Sequence, residues 1–518
     1  MSSSPLMPAA SRSTSLSSSV VTDSEFPLGK TITLGKLLSL TVTEDSLIIL
    51  DENIKKSSRS CCSAWPTGLQ SRFIAEGPAD TVVVNRKRTI ALYNILWADV
   101  GATAITLNFA ESASNSSVRP TSLTYPFQLT TLESVEKWVL YLLDRAYEDS
   151  LALKRFKVII NPFGGSGQAV NIFEKQSKAL LEAARCKLDI EHTTHYKHAV
   201  DIAENLDIDL FDGIICCSGD GVPHEVFNGF AKRNDATRAL NKIAVCQLPG
   251  GSGNAMCWNL TGTGSASLAT VAIIKGKRRS IDLLSITQGN SRLISFLSQS
   301  VGMIAEVDLG TEHLRWMGDA RFTVGLLQRI SRQTVYPCDI SIKTAIEDKD
   351  SIRDHYRTYE GDKGIIKQDI DNGSQFPGLK YGTVNDPLPE DWETVHHAEM
   401  GIFYAGNMAW MSAGANFFPA SCPRDGFLDV ITIPGTLSRL SATKVLLAVE
   451  KGHHFNLDQV NYKKVVAYRI TPHKREGVTE EYVSIDGERV DFAPLQVEVH
   501  QGLGTVLAKG DGYEAPGV

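Results

Sequence analysis

Residues 213–225, GIICCSGDGVPHE, determine the fold class. The apolar run at residues 213–217 is typical of a buried parallel strand, and a glycine-containing turn then leads into a helix. Turns of this kind hold phosphate groups, because backbone N–H groups and the positive end of the helix point at the anion. Asp220 lies in the middle of this turn, where its carboxylate would repel phosphate. The role of Asp220 is therefore the central question that the sequence raises.

Two further glycine turns, NPFGGSG at residues 161–167 and PGGSGN at residues 249–254, follow other predicted strands. Between residues 156 and 275, strand-like and helical segments alternate, which predicts an α/β fold with a parallel sheet covered by helices on both faces. Ligands bind such sheets beyond the carboxyl ends of the strands. Three glycine turns at that edge predict a polyphosphate site, although each turn alone would be equally consistent with tight packing between a strand and a helix.

Asp220 has three candidate roles in such a turn. It could cap the helix that follows, hold Mg²⁺, or accept the proton of a hydroxyl that attacks phosphorus. Because Gly219 and Gly221 flank Asp220, a ligand can approach the carboxylate from both sides. Phosphoryl transfer needs little beyond positioning, charge neutralisation and an oriented nucleophile, which favours the catalytic role.

The three glycine blocks, NPFGGSGQA, SGDGVPHEVFNG and LPGGSGNA, resemble the diacylglycerol-kinase-like catalytic fold. Two later blocks, residues 300–325 and VSIDGERV at residues 483–490, are similar to those of sphingosine (sphingoid long-chain-base) kinases, most of all the fungal and plant members. The resemblance implies a two-lobed lipid kinase, with an α/β nucleotide-binding lobe and a mainly antiparallel β lobe. It also implies ATP and Mg²⁺ as cofactors and a sphingoid base as the substrate.

The resemblance implies a role for each matching residue. Asp220 would be the general base, Asp308 would recognise the polar head of the sphingoid base, and Ser218, Gly219 and Gly221 would contact the substrate. The implied nucleotide-binding positions are Asn161, Pro162, Phe163, Gly164, Gly165, Thr193, Thr194, His195, Tyr196, Lys197, Glu225, Gly251, Ser252, Gly253, Arg315, Arg321, Asp486, Gly487 and Glu488. Arg315 and Arg321 would clamp phosphates, and Mg²⁺ would lie near Asp486 or Asp220.

The expected reaction is ATP-dependent phosphorylation of the primary hydroxyl of a sphingoid base. A carboxylate at Asp308 suits an ammonium group, whereas diacylglycerol has no amine. The alternatives are a ceramide or diacylglycerol kinase and a catalytically inactive, membrane lipid-binding protein. Parts of residues 293–307, 322–328 and 402–411 are the expected lining of the pocket for the lipid tail.

Composition shifts along the chain predict its organisation. The predicted regions are a disordered Ser-rich tail at residues 1–25, a β-rich domain resembling pleckstrin-homology domains with a closing helix at 26–150, the ATP-binding lobe at 151–278, and a β-rich lipid-binding lobe at 279–518 with a flexible insertion at about 346–394.

The net charge and composition of the chain limit the classes of partner that it can bind. A formal net charge of −7 argues against nucleic-acid binding, and no apolar run is long enough to span a bilayer. The nine cysteines form no CxxC pair, which indicates a reducing compartment. We expect a cytoplasmic protein without a secretory signal, associated peripherally with intracellular or plasma membranes, and a homodimer is a candidate assembly. Cys61 and Cys62, beside basic residues, are candidates for acylation.

Overall fold

The computed structural model describes residues 30–35, 38–55, 82–165, 167–311, 320–361 and 375–518. The predicted disordered tail, the acylation candidates Cys61 and Cys62, and the predicted phosphate ligand Arg315 lie outside these ranges. The chain divides into two compact units. The first comprises residues up to 91, 100–105 and 125–142, and the second comprises the remainder.

The first unit contains an antiparallel sheet of four consecutive strands, in which each strand pairs with the next. The strands are β1 (Thr31–Leu34), β2 (Leu38–Val42), β3 (Ser46–Lys55) and β4 (Val82–Ala91). Alternation with a period of two buries Leu40, Val42, Leu47 and Ile49 on one face.

A three-stranded sheet and a helix follow. The sheet contains β5 (Ile95–Val100), β6 (Ala104–Ser114) and β7 (Ser117–Pro126), and the helix is α1 (Leu132–Tyr147). Val135, Val139 and Leu142, which lie on one face of this helix, are buried. The N-terminal region is therefore β-rich with a closing helix, as predicted, and its relation to pleckstrin-homology domains stays a prediction.

A parallel sheet follows, in the order β11-β10-β8-β9. Its strands are β8 (Arg155–Ile160), β9 (Lys187–His192), β10 (Gly213–Ser218) and β11 (Ala244–Pro249). Ser218 pairs with Pro249, Cys217 with Ile160, and Ile160 with His192. The carboxyl ends of the four strands are therefore aligned at one edge, from which all three glycine turns begin.

Helices alternate with these strands, as the sequence predicted. They are α2 (Ala169–Ile172), a π-helical turn (Phe173–Ser177), α3 (Lys178–Ala183), α4 (His198–Glu204), α5 (Gly221–Ala231), α6 (Ala236–Lys242), α7 (Ala255–Thr261) and α8 (Ala266–Lys275). Apolar side chains of the strands and helices form one buried cluster, which includes Ile159, Ile214, Val226 and Phe230.

The rest of the chain is strand-rich. Its elements are β12 (Lys277–Gln288), β13 (Ser291–Ser295), β14 (Ser298–Gly302), α9 (Met303–Gly310), α10 (Ala320–Arg332), β15 (Cys338–Ile346), α11 (Lys349–Gly361), β16 (Glu393–His397), β17 (Met400–Gly406), β18 (Leu428–Pro434), α12 (Arg439–Val449), β19 (Asn461–Pro472), β20 (Val483–Ile485), β21 (Glu488–Val490) and β22 (Leu495–Ala508). Its strand pairs are antiparallel, as predicted for the second lobe.

Strand β22 joins the two lobes into one sheet. It pairs antiparallel with β12 and β19, and at Val506 it also pairs parallel with Val245 of β11. The path β21-β20-β14-β17-β18-β19-β22-β11-β10-β8-β9 is continuous. The predicted boundary at residues 278/279 therefore does not separate two sheets. Strand β22, near the end of the chain, pairs with the parallel sheet of the first lobe.

The predicted flexible insertion at about 346–394 contains regular structure in its described parts. Residues 349–361 form α11, whose start is capped by Asp348 through a hydrogen bond from the Ser351 N–H at 2.8 Å. Ile352 is fully buried. Further along, the Glu498 carboxylate accepts the N–H groups of Lys380 and Tyr381. Tertiary hydrogen bonds thus hold parts of this segment, and its flexibility stays a prediction.

Candidate active site

The three glycine turns touch one another through their backbones. A Cβ built on Gly251 would lie 2.4 Å from the Cα of Gly219, and one built on Gly165 would lie 2.6 Å from the carbonyl oxygen of Gly250. Gly165 also has a φ of +58°, which disfavours other residues. Glycine is therefore required at these positions, because any side chain would separate the turns.

Two asparagine side chains hydrogen-bond to the backbone of the first and third glycine turns. The Oδ1 of Asn161 accepts the N–H groups of Phe163 and Gly164, at 3.0 and 3.1 Å. Asn254 exchanges two hydrogen bonds of 2.8 Å with the backbone of Gly251. Asn254 was not predicted as a site residue. Its position directly after Gly-Gly-Ser-Gly, where an αL residue is needed, was the available signal.

Asp220 caps a helix, but not the helix that follows it. Its carboxylate accepts the N–H groups of Ala255 and Met256, both at 3.0 Å, at the start of α7. The side-chain amide of Gln247 donates a third hydrogen bond at 3.2 Å. The side chain makes no capping bond to α5, the helix that Asp220 itself precedes. Asp220 is thus fixed between the second and third glycine turns.

The surroundings of Asp220 shift its proton affinity upward. Burial raises the pKa of Asp220, the three hydrogen-bond donors lower it, and the carboxylate of Asp486 raises it further, so that the net shift is upward. One carboxylate oxygen faces Gly253, since a Cβ there would lie 3.4 Å from Oδ2. A positioned carboxylate whose pKa is raised toward the working pH is suited to act as a general base.

Asp486 is fully engaged by the protein. Its buried carboxylate accepts hydrogen bonds from the Ser295 hydroxyl and from the backbone N–H groups of residues 296, 297 and 298, and it pairs with His224 Nδ1 at 2.8 Å. A carboxylate offers about four lone-pair positions, so no position is left for a metal ion. Asp486 therefore anchors its turn to α5, and its predicted place at the nucleotide stays a prediction.

This turn brings Glu488 and Asp308 to the same region. A Cβ on Gly221 would lie 3.1 Å from Glu488 Oε1, and a Cβ on Gly487 would lie 3.9 Å from Asp308 Oδ2. The Ser484 hydroxyl donates to Asp308 Oδ2 at 3.1 Å. Ser484 was not predicted as a site residue, although it lies within the VSIDGERV block.

The predicted nucleotide-binding stretch at residues 193–197 connects β9 to α4. Thr193 is buried and its N–H donates to Ile160, whereas the Tyr196 ring is exposed. The carboxylate of Glu225 accepts the N–H of Ala199 at 3.1 Å. Burial raises the pKa of Glu225, and the nearby carboxylate of Glu488 contributes in the same direction. Glu225 thus holds the start of α4 beside Glu488.

Tyr404, on β17, lies in the stretch 402–411 that was predicted only to line the lipid pocket, and its place near the acidic residues was not predicted. Burial raises the pKa of Tyr404, a hydrogen bond with Ser298 lowers it, and the carboxylates of Asp308, Asp486 and Asp220 raise it further. One phenol therefore interacts with three of the predicted acidic residues. The carboxylates of Asp220 and Asp308 therefore both lie near enough to Tyr404 to act on its phenol.

An apolar pocket lies beside α9. Asp308 and Ile304 are four residues apart on this helix and therefore share a face. The pocket encloses about 690 Å³ of atom-free space, part of which is open to solvent. Its apolar lining includes Met303, Ile304, Leu326, Ile330, Ile402, Phe417, Ile431, Ile433, Leu437, Val445, Leu446 and Val449.

All three segments predicted to line a lipid pocket contribute to it. Met303 and Ile304, Leu326, and Ile402 come from these segments. The contributions of β18 and α12 were not predicted, since any apolar residues would serve and no motif marks them. Arg321 lies in the first turn of α10, and its contact with phosphate stays a prediction, as does that of Arg315.

Comparisons with known proteins agree with this geometry. Residues 155–286 match the diacylglycerol kinase catalytic domain, and residues 380–508 match the YegS C-terminal NAD kinase beta sandwich-like domain. Residues 30–148 match a domain of unknown function, DUF7493. The fold and the site thus define a lipid kinase of the diacylglycerol kinase type.

Three relatives define the family more narrowly. The chain is 33% identical to sphingoid long chain base kinase 5 of Saccharomyces cerevisiae, over 75% of this chain and 64% of that protein. It is 32% identical to sphingoid long chain base kinase 4 of Schizosaccharomyces pombe, over 84% of this chain and 93% of that protein. Sphingosine kinase 1 of Arabidopsis thaliana is 31% identical, over 68% of this chain and 75% of that protein. The chain belongs to the sphingoid long-chain-base kinases, as its motifs predicted.

Proposed function

We propose that this protein transfers the γ-phosphoryl group of ATP to the primary hydroxyl of a sphingoid long-chain base. The observation that supports this proposal most strongly is the placement of Asp220. Its carboxylate, with a raised pKa, is fixed between two glycine turns and shares the neighbourhood of Tyr404 with Asp308. Family membership supports the use of ATP.

In this proposal the glycine turns hold the polyphosphate. The N-terminus of α5 opens at the second turn and that of α7 at the third, so their dipoles favour negative charge there. Phe163 and Tyr196 present exposed aromatic rings on the loops that follow β8 and β9, where a purine base could stack. Arg315 and Arg321 remain candidates for neutralising phosphate charge.

Glu488 is the best candidate to hold Mg²⁺. Its carboxylate lies beside Gly221 at the second turn, whereas the Asp486 carboxylate is occupied by protein donors. Carboxylate oxygens are the ligands that Mg²⁺ prefers in proteins. When bound there, the ion would neutralise charge on the β- and γ-phosphates.

The lipid would bind along α9. The carboxylate of Asp308 would pair with the ammonium group of the base, and the alkyl chain would extend past Ile304 into the apolar pocket. The primary hydroxyl would then reach Asp220. As its oxygen bonds to the γ-phosphorus, its proton passes to the carboxylate, and the bond from the γ-phosphorus to the bridging oxygen breaks to release ADP.

Peripheral membrane association would give access to this substrate. No helix in the described ranges is long and apolar enough to cross a bilayer. The Leu440 and Leu447 side chains on α12 are 86% and 75% exposed, and other residues of this helix line the pocket. We propose that this face of α12 inserts shallowly into the interface. Homodimerisation stays a prediction.

A substrate panel tests the function. The purified full chain is incubated with radiolabelled ATP, Mg²⁺ and mixed micelles that contain sphingosine, sphinganine, phytosphingosine, ceramide or diacylglycerol. We expect phosphate esters from the three bases with a free amine. Preferential phosphorylation of ceramide or diacylglycerol would remove the role of Asp308, and no transfer to any lipid would support the inactive lipid-binding alternative.

A further inference from the structure

Two histidines and an aspartate converge on one sheet face outside the residues assigned to the kinase site. Asp339 lies on β15, directly opposite His396 of β16 and Thr471 of β19 in the strand register. His473 follows β19 and is therefore on the same face as Thr471, two residues before it. Three chain segments that are far apart in sequence thus bring their side chains together.

The three side chains are already in contact. Asp339 Oδ1 lies 2.6 Å from His396 Nδ1, and Asp339 Oδ2 lies 2.9 Å from His473 Nε2. The ring centroids of the two histidines are 5.9 Å apart. One nitrogen of each histidine and one oxygen of the aspartate all lie within 4.8 Å of one another. The ligands of one tetrahedral zinc ion are roughly 3.3 Å apart, given bond lengths of about 2.0–2.1 Å. Small rotations of the side chains would therefore suffice to surround an ion.

Two imidazoles and one carboxylate form a donor set typical of zinc and related transition metals rather than of Mg²⁺ or Ca²⁺. The cluster is open to solvent, since the side chains of His396, His473 and Asp339 are 62%, 41% and 36% exposed. This leaves room for the ion and for water at the remaining position. Ion pairing alone is a weak reason for these three side chains to lie together, because exposed ion pairs contribute only about 0–1 kcal/mol to the free energy of unfolding.

We propose that Asp339, His396 and His473 form a binding site for a divalent transition metal ion of the zinc class, completed by water. The ion would replace the protons that the histidines now direct at Asp339. The ion would link β16 to β15 and to the end of β19. Strand β16 lies at the end of the segment 346–394. Because the ligands meet only in the folded chain, binding would raise the melting temperature.

The test uses the full chain after treatment with a chelator. Titration with ZnCl₂ is followed by calorimetry and by thermal unfolding, and CoCl₂ is used as a spectroscopic probe because cobalt bound to histidine in a tetrahedral or five-coordinate site absorbs visible light. We expect one Zn²⁺ bound per chain at this site, a rise in melting temperature and a cobalt spectrum. The single variants His396→Gln and His473→Gln should each weaken Zn²⁺ binding at least about tenfold.

His453→Gln is the matched control, because His453 is exposed and lies outside the cluster. It should leave all three signals unchanged. The pair His195 and His198, whose rings are 4.4 Å apart, is the alternative binding place. The proposal is overturned if wild-type protein gives no cobalt spectrum, or if both cluster variants bind Zn²⁺ as tightly as wild type. Loss of binding only in a His195→Gln/His198→Gln variant would also overturn it.

Discussion

The edge of the parallel sheet and the apolar pocket differ in which atoms form their surfaces. At the sheet edge, backbone packs on backbone, and Gly219 and Gly251 approach so closely that no side chain fits. In the pocket, side chains from three helices and two strands form the surface. The first site therefore tolerates almost no substitution, whereas the second should accept changes that alter its shape and hence its lipid preference.

The largest effect is expected at Asp220. Asp220→Asn keeps the size of the side chain but cannot accept a proton, so kcat should fall by about 100- to 10,000-fold. ATP binding should change little, because the backbone holds the phosphates. Steady-state kinetics with sphinganine and calorimetry with ATP measure the two quantities. Turnover close to that of wild type would remove Asp220 as the base.

A substitution at Asp308 should change KM for the lipid substrate and leave KM for ATP unchanged. Asp308→Asn removes a charge-assisted hydrogen bond to the ammonium, which contributes about 1.5–3 kcal/mol. We therefore expect KM for the base to rise by about 10- to 150-fold, with KM for ATP unchanged. An equal rise in KM for ATP would indicate that Asp308 acts on the nucleotide side instead.

Gly251→Ala tests the intolerance of the sheet edge. The new Cβ would lie 2.4 Å from the Cα of Gly219, and both partners are backbone. Overpacking of this kind costs about 1–3 kcal/mol in unfolding free energy, and KM for ATP should rise by about 2- to 13-fold if half of that cost falls on binding. Gly378→Ala is the control, because nothing lies within 4 Å of its Cβ position. Equal behaviour of the two variants would contradict the tight packing.

Leu446→Phe tests the tolerance of the pocket. Leu446 lines the pocket, whereas its neighbour Leu447 is exposed. The larger ring should narrow the pocket and shift the kcat/KM ratio of 18-carbon to 12-carbon bases by about tenfold toward the shorter chain. Leu447→Phe, the same change one residue later, should leave this ratio unchanged. Identical chain-length profiles for both variants would place the alkyl chain elsewhere.

The last prediction concerns the pH dependence of stability through His454, a buried residue that lines the pocket. Burial lowers the pKa of His454 from 6.5 to about 4, against the opposing effect of the hydrogen bond with the Phe417 carbonyl. The folded chain therefore disfavours the protonated form of His454. The contribution of neutral His454 to the free energy of unfolding is fully present above pH 6.5 and is lost as the pH falls toward 4. The loss reaches about 3 kcal/mol.

His454→Gln should flatten this part of the stability profile, measured by urea unfolding between pH 7 and 4. It should not abolish the decline, because burial also lowers the pKa of His500 to about 4. The exposed neighbour His453 provides the control variant His453→Gln, which should retain the wild-type slope. An unchanged slope in His454→Gln would show that the imidazole is not the titrating group.

The glycine turns and Asp220 were predictable because their residue types are specific: few other residues allow backbones to meet or a carboxylate to stand among amides. The alternating strands and helices were predictable from hydrophobic periodicity. The helix α11 and the hydrogen bonds from residues 380 and 381 to Glu498 were not predicted, because the composition of this segment suggests flexibility. Tyr404 and the engagement of Asp486 could not be predicted, because both depend on contacts between residues far apart in sequence.

The placement of β22 has a consequence for synthesis on the ribosome. Strand β11 ends at Pro249, but its neighbour β22 begins only at Leu495. Until then one border of the nucleotide-binding sheet remains unpaired, and an open strand is a site for aggregation. The nascent chain should therefore depend on chaperones late in translation, and a stop codon before residue 495 should yield insoluble protein even though every glycine turn is present.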